Sequence, residues 1–103
     1  MREIHAADGA VELALYVAQA SLLSRQAERA LRSVLERFDP QYVRCSVVYV
    51  EEDPAAAERD GIIETPTLVR RAPLPRMWLI GNLQQADLVT DLLYASGVRE
   101  VSS

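Results

Sequence analysis

The stretch from Glu12 to Ala18 constrains the fold more than any other part of the chain. Side chains alternate between two faces along a strand. Read as a strand, this stretch sets Leu13, Leu15 and Val17 on one face and Ala14, Tyr16 and Ala18 on the other. Both faces are largely apolar, so the strand belongs in the middle of its sheet rather than against water.

Ser21 to Phe38 then reads as a helix. Ala27, Ala30, Leu31, Val34, Leu35 and Phe38 recur at helical spacing, and Arg25, Glu28, Arg29, Arg32, Glu36 and Arg37 cover the opposite side. Glu28 precedes Arg32 by one turn, the favourable order for an ion pair. Ser21 or Ser24 supplies the N-cap, and Asp39-Pro40 ends the helix because a residue before proline avoids helical backbone. Tyr42 to Val50, rich in valine and tyrosine, is a second strand with Val43, Cys45, Val47 and Tyr49 on one face.

Glu51 to Gly61 carries several helix signals together. Asp53 caps, Pro54 suits the first helical position, the alanines favour helix and Gly61 suits the stop. Thr67 to Arg71 and Arg76 to Ile80 are short strands that pair antiparallel around Ala72-Pro73-Leu74-Pro75. Gly81 breaks the second of them. Asn82 and Gln85 have capping-box spacing, Leu88, Val89, Leu92 and Leu93 form the core face of a last helix, and Gly97 ends it.

The order is β-α-β-α-β-β-α: a parallel pair joined by a helical crossover, then a hairpin and a helix. That is the thioredoxin-like α/β arrangement. Residues 1–11 read as a flexible N-terminal tail, 12–97 as one domain and 98–103 as a short polar C-terminal tail.

Composition bears on where the chain works. The net charge is −4 and every basic residue is arginine, which argues against general nucleic-acid or anionic-membrane binding. Cys45 is the one cysteine, so no internal disulfide forms and a cytoplasmic setting is expected. No apolar run is long enough to span a bilayer. Met1 to Gly9 carries charges without an apolar stretch, unlike a signal peptide.

Enzymes of this arrangement place a reactive cysteine at the start of the first helix, where the helix N-terminus stabilises a thiolate. Ser21-Leu22-Leu23-Ser24 stands there instead. A serine nucleophile needs a base, and the sole histidine, His5, lies in the tail, so the serines read as caps. Cys45, mid-strand on an apolar face, reads as a small buried hydrophobe. Glu51, Glu52 and Asp53 read as a negative helix start. Asp87 and Asp91 read as a solvated face. No catalytic, cofactor-binding or metal-binding residue is expected, and binding another protein is the expected activity. Arg70, Arg71 and Arg76 flank the proline turn, either as a charged sheet edge or as a contact for an anionic or protein partner. Trp78 is a core or oligomer contact.

Several segments resemble the KaiB family. They are Leu15-Tyr16-Val17-Ala18, Thr65-Pro66-Thr67-Leu68, Pro73 and Pro75 ahead of Leu79-Ile80-Gly81-Asn82-Leu83, and Asp91-Leu92-Leu93-Tyr94. The resemblance runs from about Leu13 to Tyr94. It implies a regulatory partner of a KaiC-like ATPase or other signalling protein, in circadian timing or stress-related signalling, and a homo-oligomer, dimer or tetramer. It also implies a second, ground-state fold, β-α-β-β-α-α-β, with a rearranged second half. On the same resemblance Thr65-Pro66 is cis in the thioredoxin-like form, and Pro66, Pro73, Pro75, Gly81 and Asn82 are the fold-switch or turn candidates. The partner-binding candidates are Arg44, Ser46, Arg70, Arg71 and Arg76. The chain departs from the family pattern at Gln19, Leu22-Leu23, Tyr49 and Asn82, and Ser46 and Gly61 stand where clock members often carry lysine. These departures point to a divergent or non-clock homologue. A SasA-type sensor module is a second reading. A thioredoxin-like oxidoreductase is a third, disfavoured by the missing Cys-x-x-Cys pair.

Overall fold

The computed structural model describes residues 10–81 and 86–101. Seven elements follow one another: β1 (Val11–Val17), α1 (Leu22–Leu35), β2 (Val43–Tyr49), α2 (Pro54–Arg59), β3 (Thr67–Ala72), β4 (Met77–Ile80) and α3 (Ala86–Ala95). The sheet order is β2-β1-β3-β4. β1 pairs parallel with β2, from Val11 opposite Val43 to Val17 opposite Tyr49. It pairs antiparallel with β3 through Ala14 opposite Val69 and Tyr16 opposite Thr67. β3 and β4 form the expected hairpin, with Val69 opposite Trp78. The order is the thioredoxin-like β-α-β-α-β-β-α.

Both faces of β1 are indeed covered. Val11, Leu13, Leu15 and Val17 pack against Ala27, Leu31 and Val34 of α1 and Val89, Leu92 and Leu93 of α3. Ala14 and Tyr16 pack on the other face with Val69 of β3 and Ala56 of α2. Three layers result, with α1 and α3 on one side of the sheet and α2 on the other. This is how a small domain buries a strand with two apolar faces.

The helix ends follow local chemistry. The Ser24 N–H donates to Ser21 Oγ at 3.1 Å, and the Ala56 N–H donates to Asp53 Oδ1 at 3.1 Å. Arg32 pairs with Glu28 at 2.6 Å on the outer face of α1. The α-helix stops at Leu35, short of Phe38. The chain continues for a turn with tighter bonds, Arg37 N–H to Val34 O and Phe38 N–H to Leu35 O, both at 3.0 Å. α3 ends at Gly97, whose φ is +94°. Gly97 N–H donates to Tyr94 O and Val98 N–H to Leu93 O, at 3.0 and 3.1 Å, the paired bonds of a glycine-terminated helix.

Three details differ from expectation. Leu88 is 44% exposed while Val89, Leu92 and Leu93 are buried. It sits about a quarter-turn from the middle of the buried stripe. The segment after Gly97 is not merely a polar tail: Val98 is buried, Glu100 bridges to Phe38 and the Val101 N–H donates to Arg37 O at 2.8 Å. At the other end, Ala10 and Val11 are buried. The Thr65-Pro66, Ala72-Pro73 and Leu74-Pro75 bonds are cis. Asn82 and Gln85 lie outside the described residues.

Leu15 is completely buried, so Leu15→Ala should lower the unfolding free energy by about 2–5 kcal/mol in urea titration. Leu88→Ala should change it by less than about 1 kcal/mol.

Candidate functional site

The serines at the start of α1 are engaged in structure. Ser21 is the cap, and buried Ser24 accepts the Ala18 N–H at 3.0 Å through its Oγ. Leu22 and Leu23 between them are exposed. His5 lies outside the described residues. Cys45 is half-buried in β2, and burial pushes its thiol up to about 11, far from the range of a reactive thiolate. Glu51 accepts the Gln19 backbone N–H at 3.1 Å, and Glu52 accepts the Gln19 side-chain amide at 2.8 Å. The acidic run therefore closes the turn after β1. Among the described residues no three of His, Cys, Asp and Glu are grouped to hold a metal. Asp87 and Asp91 are exposed on α3.

The five partner-binding candidates divide by strand alternation. Arg70 points to the α1/α3 side of the sheet and is only 5% exposed. It donates to Ser96 Oγ at 2.7 Å and to Pro75 O at 2.9 Å. Its guanidinium ties the proline turn to the end of α3 and leaves it no surface to offer. Arg71, one residue on, points to the α2 side. Arg44 and Ser46 lie exposed on edge strand β2, on the same side as Val48, which packs on the α2-side core.

Arg71 and Arg76 converge on a residue that sequence reading passed over, Asp60. It follows α2 as the C-cap and is only 4% exposed. Its Oδ2 accepts the Tyr16 hydroxyl at 2.6 Å and Arg71 Nε at 2.9 Å. Its Oδ1 accepts Arg76 Nη1. Its backbone carbonyl accepts the Trp78 indole N–H at 2.9 Å. Arg71 also donates to the Tyr16 oxygen at 3.0 Å and lies 3.6 Å from Glu12. One carboxylate thus joins β1, α2, β3 and the start of β4.

The electrostatics follow from burial and partners. Burial alone would raise the Asp60 pKa, but hydrogen bonds from Tyr16, Arg76 and Arg71 outweigh it and bring the group to about 2. Burial and the Asp60 carboxylate raise Tyr16, which keeps its proton. Burial works against the Arg71 charge, and its bonds to Asp60 and Tyr16 more than restore it. The cluster therefore stays ionised and offers no nucleophile or proton donor poised near neutral pH. What it presents outward is positive. Arg76 and Arg71 keep side-chain exposures of 43% and 27%. Arg44 stands opposite Glu12 in the β1–β2 register. Arg44, Glu12, Arg71, Asp60 and Arg76 thus share one face, three cations and two carboxylates, on a chain whose net charge is −4.

A family model described as the KaiB domain matches residues 14–94, nearly the whole of the described fold. The chain belongs to the KaiB family. It is 40% identical over 86 residues to the circadian clock oscillator protein KaiB of Synechococcus elongatus, covering 80% of this chain and 83% of that one. The KaiB of Gloeothece citriformis is 36% identical over 85 residues, covering 80% of each chain. These KaiB relatives are named as clock proteins, not as enzymes. Among solved structures, a mutant thioredoxin from Halobacterium salinarum superposes with a TM-score of 0.74 at 26% identity, covering 87% of this chain and 77% of that one. The N-terminal domain of Synechococcus elongatus SasA superposes at 0.66 with 24% identity, covering 82% and 80%. These likenesses support the thioredoxin-like fold, and the KaiB match gives the family. Among the described residues no helix is long and apolar enough to cross a membrane.

Asp60→Asn leaves two guanidinium groups without their shared counter-charge, and should cost about 2–3 kcal/mol of stability in chemical denaturation at neutral pH. The Asp60 pKa is depressed in the folded state, so its contribution is present above the unfolded value near 4. It is lost as pH falls through about 2. The difference between the native chain and Asp60→Asn, followed by circular dichroism, should therefore hold down to about pH 4 and shrink by roughly 2 kcal/mol toward pH 2.

Proposed function

We propose that this chain is a cytoplasmic KaiB-like regulatory module whose partner is a KaiC-like ATPase, acting in circadian timing or stress-related signalling. The KaiB match over residues 14–94 carries this reading. The contact surface is the α2 side of the sheet, with Arg44, Ser46, Arg71 and Arg76 facing an acidic patch of the ATPase. Local positive charge on a net acidic chain steers such an encounter and sets its orientation. Ser46 stands where clock members often carry lysine, so the charge of the surface rests on arginine. No chemistry is assigned to the chain. Self-association into a dimer or tetramer belongs to the same reading.

The family's second packing would rearrange α2, β3, β4 and α3. Pro66, Pro73, Pro75, Gly81 and Asn82 are the turn positions assigned to it. Such a rearrangement would strain the Asp60 cluster where it crosses the two halves, because Asp60 lies in the moving half and its partner Tyr16 lies in β1.

Immobilised protein should retain the KaiC-like ATPase of its own cell in a pull-down performed with and without ATP. Failure under both conditions would overturn the reading. Arg44→Glu reverses an exposed charge without touching the Asp60 bonds, and should weaken retention about tenfold at moderate salt, with the folded state unchanged by circular dichroism.

A further inference from the structure

α3 is a ten-residue helix, too short to persist by itself in water. Its place on the sheet therefore depends on what holds it. Among the described residues it buries Val89, Leu92 and Leu93. Arg70 of β3 holds the residue just past its end, Ser96, at 2.7 Å. A second hold comes from beyond the helix, in residues 98–101, where the sequence predicted a polar tail.

After the turn at Gly97, Val98 joins Phe38 in the core, and the two are only 5% and 3% exposed. Glu100 stands opposite Phe38 in an antiparallel bridge, and the Val101 N–H donates to Arg37 O at 2.8 Å. The segment after α3 is thus paired with the segment after α1. Side chains close the same junction. Arg37 Nη2 donates to Thr90 Oγ1 at 2.6 Å, and Arg37 Nε lies 3.5 Å from Glu100 Oε2. Glu100 also bonds to the Tyr94 hydroxyl, which raises the Tyr94 pKa. Tyr94 meets Phe38 edge-on, with ring centroids 6.0 Å apart. Thr90 and Tyr94 stand one turn apart on α3, so Arg37 and Glu100 hold two successive turns of it.

We propose that residues 98–101 are a latch, caught on Arg37 and Phe38, that restrains α3 from leaving the sheet while the strands stay folded. Regions with few buried contacts open locally, at less cost than unfolding the whole domain. β1 is covered on both faces, whereas α3 buries one short apolar stripe, so α3 is the element that opens first of the two. Backbone pairing and the buried Val98 supply most of the hold. Arg37 and Glu100 keep side-chain exposures of 48% and 37%, and an exposed ion pair is weak and screened by salt. The bond from Arg70 to Ser96 survives release of the latch, so α3 then opens more often rather than detaching. The family match ends at Tyr94, which leaves the latch outside the matched region. The latch depends on neither the KaiC-like partner nor the second packing.

Hydrogen–deuterium exchange on the full chain at neutral pH, read amide by amide across low urea concentrations, tests it. In the native chain the amides of Leu92 and Leu93 should exchange at least about tenfold faster than those of Leu13 and Leu15. Their exchange should also respond less steeply to urea, because a local opening exposes less surface than global unfolding. Arg37→Met removes the bonds to Thr90 and Glu100 and keeps the apolar stem. Val101→Pro removes the N–H that bonds to Arg37 O. Each should speed the Leu92 and Leu93 amides about threefold to tenfold, with their shallow urea dependence kept. Val101→Pro changes no residue of a helix or strand and decides the outcome if Arg37→Met does not fold. Native α3 amides that exchange at the β1 rate, with the β1 urea dependence, overturn the proposal. So do variants that speed the β1 amides and leave those of α3 unmoved, since residues 98–101 would then add to global stability without holding the helix.

Discussion

Asp60 sits where four elements meet, and its ionised carboxylate has almost no access to water. Burying a charge costs several kcal/mol unless partners replace the lost hydration. Here two arginines and a tyrosine replace it, and each comes from a different part of the chain. Arg71 belongs to β3, Arg76 leads into β4 and Tyr16 is the polar tip of an otherwise apolar face of β1. The α2 layer contributes little apolar area, chiefly Ala56. An ionic clasp therefore does on that side what a broad leucine and valine contact does on the other.

The two sides of the sheet are thus held by different physics. On the α1 and α3 side, Leu13, Leu15, Leu31, Leu68 and Leu93 are buried to 2% or less, and the hydrophobic effect dominates. On the α2 side, stability depends on charges that must find one another. Buried ionic clusters are sensitive to geometry, because losing one partner leaves another uncompensated. Apart from Tyr16, the groups of this clasp all belong to the second half of the chain.

The sheet edges are also unlike each other. β2 is polar at its exposed positions, Arg44 and Ser46. β4 is short and apolar, with Met77, Trp78 and Ile80 exposed. Asp60 is bonded toward both edges of the hairpin, to Arg71 of β3 on one side and to Arg76 and Trp78 on the other.

Much of the fold was legible residue by residue. The doubled apolar pattern of Glu12 to Ala18 demanded a central strand, Asp53-Pro54 set the start of α2, and the proline turn set the hairpin. These signals are local, depending on alternation, capping and backbone restriction within a few residues. Leu88 was misassigned because the phase of a short helix is set by what it packs against. The site was less legible. Arg71 and Arg76 drew attention by their charge, while Asp60 looked like an ordinary residue before a glycine. Its partners lie 44, 11 and 16 positions away along the chain, and no local spacing encodes such a meeting. The alternation of β3 did imply that Arg70 and Arg71 face opposite ways, but only the packed helices decided which would be buried. The amino-acid order alone thus determined the elements, the central strand and the family. Tertiary structure decided which charges are buried inside the molecule and which stay exposed, because that depends on distances created when the layers close.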